Sequence, residues 1–272
     1  MPPVVSVIIP TYNRRALVRA AIESILRQSW NDWELLVVDD GSTDGTPDEI
    51  PRDPRVRFIA LTHSGNVAVV RNAGLDQVTG TYVGFLDSDD RWREDKLAAQ
   101  VARLSACSDD GWCHSDYQLV GPDGAPHPRI GGWVAQEGAL LRSLLEGRAG
   151  IALVTILVRR ELAQSIRFDE RMAFADDRDF LLQLAARSTG CCVDAVVADV
   201  LEHAGRTSHA GYEQARSAMA AYRKLSRSVS DPALAKLARR SARFHLRAYL
   251  ARARAAGHVR QALARAWSSW WI

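Results

Sequence analysis

Residues 82–90 read Tyr82-Val83-Gly84-Phe85-Leu86-Asp87-Ser88-Asp89-Asp90. An apolar run of strand length ends abruptly in three carboxylates within four residues. The run predicts a buried strand over Thr81–Leu86, with the carboxylates where the chain leaves the sheet. Like charges this close repel, and they stay ionised together only beside a positive group or in well-screened water. Two interpretations are open for this stretch alone. It is a set of oxygen ligands for a divalent cation such as Mg²⁺ or Mn²⁺, or a solvated acidic turn capping the next helix.

Upstream, Asn66 to Val78 reads as a helix stopped by Gly80. Arg55–Ala60 and Trp33–Val38 are strand candidates, and the second ends in Asp39-Asp40-Gly41-Ser42-Thr43-Asp44-Gly45. Val4–Ile9 is a β-branched strand broken by Pro10-Thr11-Tyr12-Asn13, after which Leu17, Ala21 and Ile25 recur at helical spacing. Strands alternating with helices predict an α/β fold with a mostly parallel, Rossmann-like sheet. Ligands of such sheets bind outside the carboxyl ends of the strands. Three polar clusters lie at such ends: Thr11 to Asn13, Asp39 to Thr43, and Asp87 to Asp90.

Downstream, a helix is expected over Glu94–Ser105, a strand over Trp112–Val120, and a Gly/Pro-rich loop over 121–132. A short helix over Gly138–Gly147 and an apolar strand over Ile151–Val158 follow. Asp176-Asp177-Arg178-Asp179 opens an apolar helix, where acidic residues suit the helix N-terminus. A last strand spans Val193–Leu201.

The chain has 272 residues, 47% hydrophobic and 25% charged, an ordinary globular composition. Its net charge of +3 hides a division. Residues 1–203 carry 21 Lys/Arg against 30 Asp/Glu; residues 204–272 carry 14 against 2. An acidic body with a basic tail points to two kinds of partner. No apolar run is long enough to span a membrane, and no signal peptide precedes the first strand. Cys107, Cys113, Cys191 and Cys192 lack zinc spacing and read as free thiols of a cytoplasmic protein.

Val5–Arg14, Val37–Thr46, Arg71-Asn72-Ala73-Gly74 and Asp87-Ser88-Asp89-Asp90 together resemble family 2 glycosyltransferases. The resemblance is dense over residues 4–105 and resumes at Ala175–Leu184 and at His203–Ser208. It implies a GT-A fold, a nucleotide-sugar donor, a divalent metal (Mn²⁺ or Mg²⁺) and inversion at the anomeric carbon. Tyr12 can supply an aromatic face for the base, and Asp40 can accept the N–H of a uracil ring. Pro10, Thr11 and Asp39 are supporting candidates, and Arg71 is a cation near the nucleotide. By the same resemblance Asp87 faces the ribose or a metal-bound water, and Asp89 holds the metal. Inversion needs one carboxylate to take the acceptor hydroxyl proton, and Asp177 aligns with that base. The string departs from the family's usual Glu-Asp-Trp-Asp at Asp176 and, more sharply, at Arg178, where an aromatic is expected. That puts the acceptor-side contacts in doubt. His203 and Arg206 resemble a segment that closes over the diphosphate.

A catalytic domain over 1–210 and a basic helical region over 211–272 are expected. In the second, Lys236, Arg240, Arg243, Arg247 and Arg254 share a helix face. That face is either solvated, on a helix packed against the catalytic domain, or lies on an anionic membrane surface, with Trp267, Trp270 and Trp271 favouring the second. No nucleic-acid recognition motif accompanies it. The sequence therefore predicts a glycosyltransferase using a UDP-sugar and a saccharide or lipid-linked acceptor, in cell-surface polysaccharide or glycan synthesis. A nucleotidyltransferase is the alternative enzyme. It needs a Gly-rich basic loop after the first strand, whereas Pro10–Asn13 has no glycine. A non-catalytic nucleotide-sugar-binding domain is opposed by the retention of Asp40, Asp87, Asp89 and an acid at 177.

Overall fold

A computed structural model describes residues 3–128, 133–172, 174–203, 212–255 and 257–258. The first half alternates as expected: β1 (Val5–Thr11), α1 (Arg15–Leu26), β2 (Trp33–Asp39), β3 (Val56–Ala60), α2 (Val67–Leu75) and β4 (Tyr82–Phe85). Then come β5 (Arg91–Trp92), α3 (Lys96–Ala106), β6 (Trp112–Val120), β7 (Pro126–His127), α4 (Leu141–Leu145), β8 (Leu157–Arg159) and α5 (Arg160–Ile166). The chain finishes with α6 (Asp176–Arg187), β9 (Gly190–Leu201), α7 (Tyr212–Ser228) and α8 (Pro232–Ala255).

One sheet runs in the order β3-β2-β1-β4-β8-β6-β9-β5, with β7 on β6. The strands from β3 to β4 pair in parallel. Beyond β4 the sheet is mixed: β8 is antiparallel to β4 and β6, β5 is antiparallel to β9, and β6 and β9 are parallel. Parallel neighbours need a long crossover, usually a helix. Between β7 and β8 the only helix of α type among the described residues is the five-residue α4, and antiparallel pairing needs no such crossover. The apolar run expected as a strand over Ile151–Val158 contains a 3-10 turn, Leu153–Thr155, and becomes strand only at β8. Leu153, Val154 and Ile156 are apolar because they are buried, and a short apolar run does not reveal its backbone by periodicity.

Every residue of β1 and β2 is buried, as a strand covered on both faces requires. Val5, Val7 and Ile9 pack with α1 residues Val18, Ala21 and Ile22 on one side. Ile8 and Leu36 pack with α2 and α6 on the other. Gly80 lets the chain pass close over β1: a Cβ there would meet the Ser6 backbone nitrogen at 2.7 Å. The same core cluster takes in Met219, Ala221, Tyr222 and Leu225 of α7 and Ala238 and Ala242 of α8. Lys224 adds ion pairs to Asp169 (2.8 Å) and Asp179 (2.6 Å). The boundary expected near residue 210 therefore does not divide the core. Among the described residues no helix is long and apolar enough to cross a membrane. All four cysteines are free. The sheet brings ligating atoms of Cys107, Asp110 and Cys191 within 4.8 Å of one another. Arg103 Nη1 donates to Cys107 Sγ at 2.6 Å, so a cation already sits beside that sulfur.

Candidate active site at the switch point of the sheet

From β1 the chain goes out to β2 and β3, then returns to β4 on the other flank of β1. That reversal opens a crevice at the carboxyl ends of the strands, and a cavity of about 740 Å³ lies there. Pro10, Thr11, Tyr12, Asp40, Arg71, Asp87, Asp89 and Asp177 all line it. Asp39 does not. It is buried, and its carboxylate accepts from the Ser42 backbone N–H at 2.9 Å and from the Ser42 hydroxyl. Its work is to shape the turn after β2, where Gly41 adopts φ of 77°.

Tyr12 keeps 42% of its surface exposed and stacks on His63, with ring centroids 4.1 Å apart. Asp40 is buried and faces the loop after β3. It accepts from the Ser64 N–H and hydroxyl, both at 2.8 Å, and from the Gly65 N–H at 2.9 Å. His63 Nδ1 is 3.0 Å from the same carboxylate. A carboxylate has about four acceptor positions, so little capacity is left for a base. The His63–Gly65 loop is a site element that no motif in the sequence singles out. The rule that found the other three strand ends applies equally to the end of β3.

Asp87 to Asp90 form a tight turn in which the Asp90 N–H donates to the Asp87 carbonyl at 3.1 Å. Asp90 leaves the cap position of α3 to Asp95. Asp90 Oδ1 accepts from the Leu201 N–H at 3.0 Å, tying the acidic turn to the end of β9. Asp89 Oδ2 is 2.9 Å from His203 Nε2, which brings His203 to the acidic turn; Arg206 lies outside the described residues. Arg71 is buried between two carboxylates, with Nη2 on Asp87 at 2.6 Å and Nη1 on Asp176 at 2.5 Å. Its two terminal nitrogens hold the acidic groups together, while the side chain still borders the cavity with N–H donors beyond those two bonds. Burial works against its charge, but Asp87, Asp176 and Asp177 hold its pKa above the ordinary value.

The three acidic residues at the start of α6 lie in its first turn, not at the cap position itself. Ala175 occupies the cap position and makes no side-chain cap bond. Asp176 turns inward to Arg71, and burial pushes its carboxyl up, to about 6, with Arg71 opposing and Asp177 adding to the rise. Asp177 turns outward, exposed to the cavity. Its Oδ1 accepts from the Arg178 N–H at 2.6 Å.

Asp87 Oδ2 and Asp89 Oδ1 accept no hydrogen bond among the described residues. Hard carboxylate oxygens, few in number and beside room for a phosphate, suit Mg²⁺ or Mn²⁺, which complete their shells with water and substrate oxygens. The residues present fit such an ion. The remaining wall comes from α6 to α8: Arg178, Gln214, Phe244, His245 and Arg252. Nothing in the sequence places the C-terminal helices over this cavity.

Residues 6–166 match the family model described as Glycosyl transferase family 2. The chain belongs to that family. It is 30% identical over 183 residues to the Escherichia coli UDP-Glc:alpha-D-GlcNAc-diphosphoundecaprenol beta-1,3-glucosyltransferase WfgD, covering 66% of this glycosyltransferase and 68% of that protein. A glycosyltransferase assigned to teichuronic acid biosynthesis in Bacillus subtilis (strain 168) is 41% identical over 128 residues, 46% of this chain. There the chain spans only half of the relative's length. Among solved structures, Staphylococcus aureus TarS 1-349 with UDP-GlcNAc superposes with a TM-score of 0.69 at 21% identity, over 93% of this chain and 72% of that one. The Pyrobaculum calidifontis mannosyltransferase with GDP-Man and Mn²⁺ gives 0.67 at 22%, over 99% and 74%. These likenesses are of fold, and they support the GT-A arrangement for this glycosyltransferase.

Proposed function

We propose that the protein transfers a sugar from a UDP-linked donor to a saccharide or lipid-linked acceptor, with inversion, in cell-surface polysaccharide synthesis. One observation carries this: the paired carboxylates Asp87 and Asp89 and the outward-facing Asp177 share one cavity, braced by the buried Arg71. The UDP reading is supported by the Escherichia coli relative WfgD, a UDP-Glc-dependent glucosyltransferase. The base stacks against Tyr12, with Asp40 and the loop it holds at its polar edge. Asp177 takes the proton of the acceptor hydroxyl. That oxygen bonds to the anomeric carbon as the bond from this carbon to the diphosphate breaks, and the nucleotide leaves with the electron pair. One carboxylate suffices, because no covalent sugar–enzyme intermediate forms. Asp89 and Asp87 would hold Mn²⁺ or Mg²⁺, which when bound offsets the diphosphate charge. His203 orients the Asp89 carboxylate. Arg71 keeps Asp87 and the start of α6 in register.

Asp177→Asn tests the assignment. Transfer should fall at least ~100-fold, the scale of a lost general base. UDP with Mn²⁺ should still raise the melting temperature, since a ligand that binds only the folded state stabilises it. Full transfer by the variant would remove Asp177 from the mechanism.

We also propose peripheral contact with an anionic bilayer. Lys236, Arg239, Arg240, Arg243, Arg247 and Arg254 lie exposed on α8, which contains no acidic residue. Such a face is attracted to anionic headgroups. The protein should float with phosphatidylglycerol vesicles at low salt and not with neutral ones, and R240E/R243E/R247E should stay in the soluble fraction. Wild-type protein that never floats would rule the contact out.

A further inference from the structure

Arg178 stands where related sequences are expected to carry an aromatic, and its surroundings suggest why. It projects from α6 one residue beyond Asp177, and its Nη1 donates to the Tyr222 hydroxyl at 3.1 Å. Tyr222 stacks in turn on His245, with centroids 5.2 Å apart and rings 13° from parallel. Arg178, His245 and Arg252 all face the cavity. Burial pushes the His245 imidazole down to about 4, and repulsion from Arg178 and Arg252 adds to the fall. At neutral pH this wall therefore holds two guanidinium groups around an uncharged imidazole. The carboxylate beside Arg178 is Asp177, the group the reaction needs for its proton. Phe244, 67% exposed, adds an apolar surface at the same rim.

Neutral sugar hydroxyls call for no such concentration of positive charge. Guanidinium forks match phosphate oxygens in geometry and charge. The diphosphate of the donor has its own place, at the acidic turn with its cation. We propose that Arg178 and Arg252 form an anion subsite for the acceptor, holding the phosphate or diphosphate of a lipid-phosphate-linked saccharide while its hydroxyl lies at Asp177. This rests on the glycosyltransferase reading of the site. It names the acceptor class: a saccharide joined through phosphate to an apolar chain, with Phe244 beside the start of that chain. The basic face of α8 lies on the same helix as Phe244 and Arg252, so a bilayer against it would present such an acceptor from the adjacent side.

The test is titration calorimetry on the full chain, first with UDP and Mn²⁺, then at saturating UDP and Mn²⁺ with geranyl diphosphate, geraniol or inorganic pyrophosphate. Geranyl diphosphate should bind at least tenfold more tightly than geraniol and several-fold more tightly than pyrophosphate. R178Q and R252Q should each cut the preference for geranyl diphosphate over geraniol several-fold. R252Q covers the case in which loss of the Tyr222 contact unfolds R178Q, and the wild-type ratio needs no variant. UDP binding with a wild-type ratio near one, or a ratio unchanged in R252Q, overturns the subsite alone. Pyrophosphate binding as tightly as geranyl diphosphate overturns the lipid-linked class and leaves a plain anion site. No UDP binding at all overturns the donor-site reading and the subsite with it.

Discussion

Asp176 and Asp177 are adjacent carboxylates in opposite surroundings. Consecutive residues on a helix point about 100° apart, so of the two, which both border the cavity, Asp176 is buried against Arg71 and Asp177 stands exposed. That separation of roles follows from helix geometry at a point where the core ends. Asp40 is the residue whose role is least obvious from its type. Its carboxylate is largely occupied by Ser64 and Gly65, so it can read the base directly only through its remaining acceptor capacity. UDP methylated at the uracil N3 separates the possibilities. If Asp40 accepts the N3–H, the methylated nucleotide should bind at least tenfold more weakly than UDP in a Mn²⁺-containing titration. Equal affinity would mean that Asp40 acts by holding the loop. The family resemblance ranked Asp40 above Asp39, and of the two only Asp40 lines the cavity; residue type alone does not separate neighbours at a strand end, which differ in which way the turn sends them.

At the scale of the element, α3 carries a second buried charge. Lys96 is almost fully buried, donates to Gln100 and to the Ile156 carbonyl (3.3 Å), and lies 4.2 Å from the centre of the Trp92 ring. Gln100 in turn donates to Ser115 and to the Thr155 carbonyl. This network fastens α3 to β6 and to the turn before β8. Burial lowers the Lys96 pKa to about 7. The unfolded chain binds that proton with a pKa near 10.5, so between about 7 and about 10 it holds more protons than the folded chain. Stability contributed at this site therefore rises as pH rises through that window, by up to ~4 kcal/mol. Denaturant titrations at pH 7 and pH 9.5 should show wild-type stability gaining over Lys96→Met as pH rises. A constant difference between the two proteins would place the Lys96 pKa outside the window. The strand ends that build the site were visible as elements, since each is an apolar run stopped by polar residues. The turn at Leu153–Thr155 was not, because burial alone makes a segment apolar whatever its backbone does.

At the scale of the whole molecule, α7 and α8 belong to the main core. Met219, Tyr222 and Leu225 are buried in the cluster that also holds Ile8, Phe85 and Phe180. Burying each large side chain contributes roughly 1.5–3 kcal/mol, and a domain's net stability is only ~5–15 kcal/mol. A chain ending at residue 211 should therefore lose its cooperative thermal transition or melt far below the full chain. A truncated protein that melts like the full chain would show the helices to be dispensable to the fold. The basic region seen as a separate appendage in composition is thus, on its inner face, part of the catalytic body. Only its outer face is spare for a second partner.

The sequence by itself determined the alternating first half, the three acidic or polar strand ends and the family. Each of these is written locally, in short apolar runs, their stops and their spacing. It also singled out Tyr12, Asp89 and Asp177, which the fold brings into one cavity. Only the tertiary structure decided that Arg71 bridges Asp87 and Asp176, that Asp90 fastens β9, and that the loop after β3 occupies Asp40. It also decided that α8 walls the cavity with Phe244, His245 and Arg252. These depend on contacts between residues as many as 111 positions apart, such as Asp90 with Leu201. The packing of helices over a sheet edge sets them, and no local pattern records which face of a distant helix will arrive there.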